Sequence, residues 1–266
     1  MTGYCSDLGI MKNITSKDNP IYKRALRLTR KKYRDETGLY LLEGVKPLED
    51  ALGMGIRVPT IFLKEGSEEK YEFPDSIAIR LERELFENLS ETRNSQGVIA
   101  VAEKKLYSRS AFAEAVSDGN ILIMDRLQDP GNIGTIIRTA EAAGYRGIMM
   151  SSGSGDVYAP KVVRAAAGSL FRMPVINVSG AAEAADIAEE LGKRLVVTCL
   201  DAELSCFEAD LTENIALVIG NEGSGVSEEF IKASHIKIKI PMEGSIESLN
   251  AAVAAGILMY QSQKIN

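Results

Sequence analysis

From residue 120 to residue 261 the chain repeats one pattern: a short apolar run, a polar loop, then a segment with helical spacing. That alternation constrains the fold more than any other feature. Continuous apolar runs separated by helices are buried on both faces of a parallel sheet. The runs are residues 120–125, 147–150, 175–176, 194–198, 215–219 and 236–240. The helical segments are residues 134–143 (ended by Gly144), 159–168, 181–191 (ended by Gly192), 226–233 and 249–261. This half is expected to form a mostly parallel α/β domain over residues 118–266.

The front of the chain reads as a smaller α/β domain over residues 12–104. Strands are expected at 39–43, 60–63, 76–79 and 97–101. Helices are expected at 19–32 (with Ser16 as N-cap and Gly38 closing the helical region), 45–53 and 82–89. A short helix at 111–116 connects the two domains. Residues 1–12 have no clear pattern and read as a mobile lead, with Met11 an alternative start to Met1. Charge is concentrated here. Residues 12–46 hold ten Lys/Arg against four acids, in a chain whose net charge is −6. Such asymmetry fits an arm that faces a polyanion, and it equally fits a solvated amphipathic helix.

Composition removes several classes. With 45% hydrophobic and 26% charged residues the chain has the make-up of a globular protein. No run approaches the length of a membrane span, and the first ten residues lack the layout of a secretory signal. Cys5, Cys199 and Cys206 have no metal-ligand spacing, and His235 is the single histidine. No metal is expected, and a reducing cytoplasm is the default compartment.

Three stretches carry candidate chemistry. The first is Asp129-Pro-Gly-Asn-Ile-Gly-Thr-Ile-Ile-Arg-Thr-Ala140, which places Asn132 at a helix start and Arg138 on the helix. It also reads as a turn followed by a surface arginine. The second is Gly220-Asn-Glu-Gly-Ser-Gly225, whose glycines allow close approach of backbone to a ligand. Its spacing is wrong for a dinucleotide fingerprint, it lacks the P-loop lysine, and Glu222 would repel a phosphate. It also reads as a plain loop before a helix. The third is Pro241-Met-Glu-Gly-Ser-Ile-Glu-Ser-Leu-Asn250, which leads into an alanine-rich helix. There Ser248 is a natural N-cap, and the small residues imply close packing within the chain or across a dimer.

Taken together these stretches resemble the three motifs of the SpoU (TrmH-type) RNA ribose 2′-O-methyltransferases, in that family's order and spacing. Residues 17–102 resemble the ribosomal-protein-like RNA-binding domain that many members carry in front. The resemblance implies a deep trefoil knot in the C-terminal domain, S-adenosylmethionine as methyl donor, a homodimer with a shared active site, and no metal. It implies catalytic roles for Arg138, Asn132, Glu222, Ser248 and Asn250. Cofactor contacts fall to Thr198, Gly220, Gly225, Ile240, Met242 and Leu249. Arg30, Lys31, Lys32 and Arg34 are the candidates for the RNA backbone, and large-subunit (23S) ribosomal RNA is the expected substrate. A tRNA methyltransferase, a non-catalytic RNA-binding protein and an unrelated nucleotide-binding enzyme are the competing readings.

Overall fold

The computed structural model describes residues 11–71, 73, 74, 77–92, 94–245 and 248–263. The expectations for residues 1–10 (the lead, the Met1 start and Cys5) lie outside these residues, as do Ser76, Ile246 and Glu247. The chain divides into two compact units.

The first unit contains the described residues up to Lys105 and the segment Tyr158–Arg164. That segment was expected in the second domain. It joins the first unit because the Tyr158 ring packs 4.9 Å from that of Tyr40 and its hydroxyl donates to the Lys105 carbonyl at 2.9 Å. The elements are β1 (Lys12–Ile14), α1 (Pro20–Arg27), α2 (Lys31–Thr37), β2 (Leu39–Glu43), α3 (Val45–Gly53), β3 (Thr60–Lys64), β4 (Ala78–Leu81), α4 (Arg83–Leu89) and β5 (Val98–Glu103). The strands form a mixed sheet in the order β1-β4-β3-β5-β2. Strands β1, β4 and β3 run parallel, and β5 is antiparallel to both β3 and β2. Alternate residues Leu41, Phe62, Ile99 and Val101 put one sheet face against Tyr22, Ala25 and Leu28 and against Leu85, Phe86 and Leu89. β1 replaces the end of the expected lead.

The expected helix at 19–32 is two helices. Asn19, rather than Ser16, is the N-cap: its side chain accepts from Ile21 N at 2.9 Å, and Pro20 supplies the preset first turn. Arg30 then adopts an extended conformation (φ −101°, ψ 131°), which ends one helix and starts the next. Gly38 closes α2 in the left-handed region at φ 68°.

This break reassigns one of the four expected RNA contacts. Arg30, Lys31 and Lys32 are exposed, with Lys32 3.8 Å from Glu36. Arg34 is 3% exposed, and its Nη1 donates to the Leu28 carbonyl at 2.7 Å. It is therefore a structural brace across the α1–α2 corner, not a surface cation. Replacing it with methionine keeps the stem but strands a buried carbonyl. Arg34→Met should lower unfolding stability by about 1–3 kcal/mol in a urea titration and leave RNA affinity unchanged. Weaker RNA binding at undiminished stability would restore the surface role.

The second unit contains Leu106–Val157 and the described residues from Ala165 onward. Its elements, with α7 crossing the division, are α5 (Arg109–Ala115), β6 (Ile121–Met124), α6 (Pro130–Ala142), β7 (Gly147–Ser151), α7 (Pro160–Ala165), α8 (Ser169–Arg172), β8 (Val175–Val178), α9 (Ala181–Glu190), β9 (Arg194–Thr198), β10 (Leu204–Ser205), β11 (Ile215–Ile219), α10 (Glu228–Ala233), β12 (Ile236–Lys239) and α11 (Ala251–Gln261). The seven strands lie in the order β10-β12-β9-β11-β6-β7-β8, and every pairing is parallel. Residues of β6, β7, β9 and β11 are buried throughout or nearly so, as continuous apolar runs require. The expected helix at 159–168 is interrupted, because Ala167 (φ 47°) and Gly168 (φ 84°) are left-handed. Strand β10 has no counterpart in the sequence reading. Among the described residues no helix is long and apolar enough to cross a membrane.

Candidate active site at the carboxyl edge of the parallel sheet

Because all seven strands are parallel, their carboxyl ends share one edge. In open α/β sheets that edge is where ligands bind. The loops after β6, β9, β11 and β12 all emerge there, and they contain the three motifs.

The loop after β11 is built around Asn221. Asn221 and Gly225 exchange backbone hydrogen bonds at 3.0 and 2.9 Å. The Asn221 side-chain oxygen accepts from Gly223 N, Ser224 N and the Ser224 hydroxyl at 3.0–3.2 Å. A Cβ on Gly220 would lie 2.2 Å from the Gly225 carbonyl carbon, and Gly225 itself has φ 68°. Gly220 thus permits the loop's own closure, and Gly225 supplies its left-handed turn.

Glu222 leaves this loop toward α6. Its carboxylate accepts from Gln128 N at 3.3 Å, Asp129 N at 3.0 Å and the Asn132 side-chain amide at 3.2 Å. Helix α6 starts four residues earlier than Gly134, with Asp129 as N-cap accepting from Asn132 N at 2.8 Å. Asn132 therefore sits in the first helical turn. Its side-chain oxygen accepts from the Asn250 amide at 2.9 Å. Asn250 in turn caps α11, accepting from Ala252 N at 2.9 Å and Val253 N at 3.2 Å. Asn250 fills the capping role expected of Ser248, which is exposed and makes no hydrogen bond among the described residues.

The structure thus joins Asn132, Glu222 and Asn250 in one chain of hydrogen bonds. Arg138 is not part of it. The six-residue offset from Asn132 to Arg138 corresponds to about 240° of rotation. Arg138 is exposed and has no hydrogen bond or ion pair among the described residues. Thr198, Gly220, Ile240, Met242 and Leu249 are partly exposed in the loops at this edge, and Gly225 is exposed. The main chain of residues 240–245 makes no hydrogen bond among the described residues.

Burial pushes the Glu222 carboxyl up, but hydrogen bonds from its own backbone N–H, Asp129 N, Asn132 and Gln128 N outweigh this and hold it below the usual carboxylate range. It is ionised at neutral pH. Sequence reasoning missed a second carboxylate here. Asp125, just past β6, is 2% exposed and accepts from the Ser151 hydroxyl at 3.1 Å and Ser227 N at 2.7 Å. Its signal was an acid closing an otherwise apolar run. Among the described residues no group of three or more His, Cys, Asp or Glu side chains could hold a metal ion.

Residues 119–260 match the SpoU rRNA Methylase family. The chain belongs to the SpoU rRNA methylase family. Residues 11–100, in the front unit, match the MRM3-like substrate binding domain. The chain is 33% identical to the 23S rRNA (guanosine(2553)-2′-O)-methyltransferase RlmP of Bacillus subtilis, over 94% of this chain and 98% of that protein. It is 32% identical to the 23S rRNA (uridine(2479)-2′-O)-methyltransferase of Streptomyces viridochromogenes, over 94% of this chain and 91% of that one. Among solved structures it is similar to the AdoMet-bound rRNA methyltransferase of Sinorhizobium meliloti, with a TM-score of 0.84, 29% identity and coverage of 94% and 97%.

The Glu222 carboxyl titrates lower in the folded chain than in the unfolded one. Its contribution to stability is therefore complete above the ordinary carboxylate pKa and disappears as pH falls through the folded value. Glu222→Gln should lower the melting temperature at pH 7, and the deficit should shrink as the pH is taken below about 4. A deficit of the same size at every pH would mean that shape, not charge, matters at this position.

Proposed function

We propose that this SpoU enzyme transfers a methyl group from S-adenosylmethionine to a ribose 2′-hydroxyl of large-subunit ribosomal RNA in the cytoplasm. The observation that carries the reading is the hydrogen-bonded line Glu222–Asn132–Asn250, which gathers the three SpoU motifs at one sheet edge. The rRNA substrates in the names of the two relatives, and the substrate-binding match of the front unit, support ribosomal RNA over tRNA. The relatives differ in base, guanosine against uridine, so family membership does not select one.

The residues present fit the cofactor. Main-chain groups of residues 240–245 that have no hydrogen bond among the described residues offer donors and acceptors to a purine, and the partly exposed Thr198, Met242 and Leu249 line the same edge. When bound, S-adenosylmethionine supplies an electrophilic methyl group on a cationic sulfonium. The protein's part is alignment and charge. The exposed Arg138 guanidinium stabilises negative charge developing on the ribose oxygen or grips the adjoining phosphate. Glu222 is a poor base, because its hydrogen bonds stabilise the carboxylate. It positions Asn132, and through it Asn250. Ser248, exposed on the loop before α11, is available to the ribose. Arg30, Lys31 and Lys32 hold the RNA backbone through salt-sensitive contacts.

The chain also works as a homodimer in this reading, with its C-terminal segment threaded as a trefoil knot. After β12, on the far side of β9, the chain returns as α11 to pack on α6. Helix α11 is apolar all round, yet Val253 and Tyr260 are each 52% exposed, with half-buried Ile257 between them on the same face. A helix of that composition is normally covered.

Mapping 2′-O-methyl sites in RNA from cells with and without this gene tests the function, and a methyl lost from tRNA alone would overturn the rRNA assignment. In vitro, Arg138→Ala should reduce transfer at least a hundredfold, the scale of one lost charge-stabilising group, and leave S-adenosylmethionine binding by calorimetry intact. Retained transfer would remove Arg138 from the chemistry. In sedimentation, Val253→Glu with Tyr260→Glu should convert a dimer to a monomer. A wild-type chain that sediments as a monomer at micromolar concentration refutes the dimer.

A further inference from the structure

Arg126 lies two residues past β6, at the same edge as the SpoU motifs. Its φ is +53°, in the left-handed region that L residues other than Asn and Asp rarely occupy. The backbone is pinned there from two sides. Arg126 N donates to the Ser151 hydroxyl at 3.0 Å, and its carbonyl accepts from the Asn221 side-chain amide at 2.9 Å. Asn221 also organises the Glu222 loop, so the fold requires this turn. It does not require an arginine in it, since glycine would adopt the same backbone without strain.

Among the described residues the side chain gains no hydrogen bond to offset that cost. Nε is buried, 3.5 Å from an Asp125 carboxylate oxygen, and has no hydrogen-bond partner among them. Asp125 is already served by Ser151 and Ser227 N. The Nη groups make no hydrogen bond among the described residues and are open to solvent on a side chain 43% exposed. Gly153 leaves room for the stem, since a Cβ there would lie 3.4 Å from the Arg126 Cγ. A strained, partly immobilised guanidinium with a free outer face is the form in which arginine binds phosphate: ordering cost is already met and the fork is presented outward.

We propose that Arg126 contacts the substrate, binding a phosphate of the RNA strand that presents the reacting ribose. This rests on the RNA methyltransferase reading above. The competing role is a countercharge for buried Asp125, and the two roles separate in two variants of the full-length chain. Arg126→Gly relieves the backbone, and Arg126→Gln keeps backbone strain and stem but removes charge. Large-subunit ribosomal RNA from cells lacking the gene serves as probe.

Both variants should bind S-adenosylmethionine as the wild type does. Both should weaken RNA binding roughly tenfold, the scale of one charged hydrogen bond, and raise KM for RNA more than they lower kcat. The slope of log affinity against log salt should fall by about 0.7, the value for one phosphate of a single strand. Arg126→Gly should melt no lower than the wild type. Unchanged RNA affinity and salt slope with a lowered melting temperature in both variants would make Arg126 a countercharge and overturn the proposal. A wild-type chain that neither binds nor methylates this RNA would instead fail the underlying reading, and the proposal with it.

Discussion

The carboxylate of Glu222 is the interaction on which the arrangement of the second unit's motif loops depends. It accepts from two backbone amides that precede α6 and from the side chain of Asn132 within it. Helix starts leave unsatisfied N–H groups, and a buried start without partners is costly. Here one ionised group satisfies the approach to α6, Asp129 caps its first turn, and Asn132 passes the connection to the cap of α11. Two helices that lie far apart in sequence are thereby registered against one loop. Arg138 rides on α6, so its position is inherited from this anchor even though it does not touch it.

The parallel sheet was legible because burial on both faces demands continuous apolar runs, and those runs stand out whatever their neighbours. Cap identity was harder. Ser248 and Asn250 both suit an N-cap, and the choice turned on where α11 begins, which depends on Asn250 having a partner in Asn132. The start of α6 was misplaced for a similar reason: Asp129 and Pro130 read as turn chemistry, and they are equally a helix cap followed by its first residue. Arg34 shows the limit of charge counting. Four cations in five residues look alike in sequence, but the corner at Arg30 turns one of them inward onto Leu28.

Gathering the motifs needed the resemblance. Nothing in the spacing of Asn132, Glu222 and Asn250 implies that they meet, since they follow different strands. Once the strand order puts β11 beside β6, the loops after both must share an edge, and the hydrogen bonds follow. The glycines of the second motif serve a purpose that their spacing alone does not reveal. They suggested room for a ligand, yet Gly220 is filled by the turn of its own loop. Main-chain groups with no hydrogen bond among the described residues are found in the loop after β12.

Charge at this edge is divided by function. The carboxylates are committed: Asp125 to Ser151 and Ser227, Glu222 to the start of α6. The hydrogen bonds that lower the Glu222 carboxyl pKa also weaken it as a base, so it cannot readily take a proton from a ribose hydroxyl. The guanidinium of Arg138 is the opposite case, exposed and without a partner among the described residues. A polyanionic substrate is drawn to cations that have not been spent on internal pairs. The proposed mechanism follows from this division: the acids build the site, and an unpaired arginine meets the charge that the reaction develops.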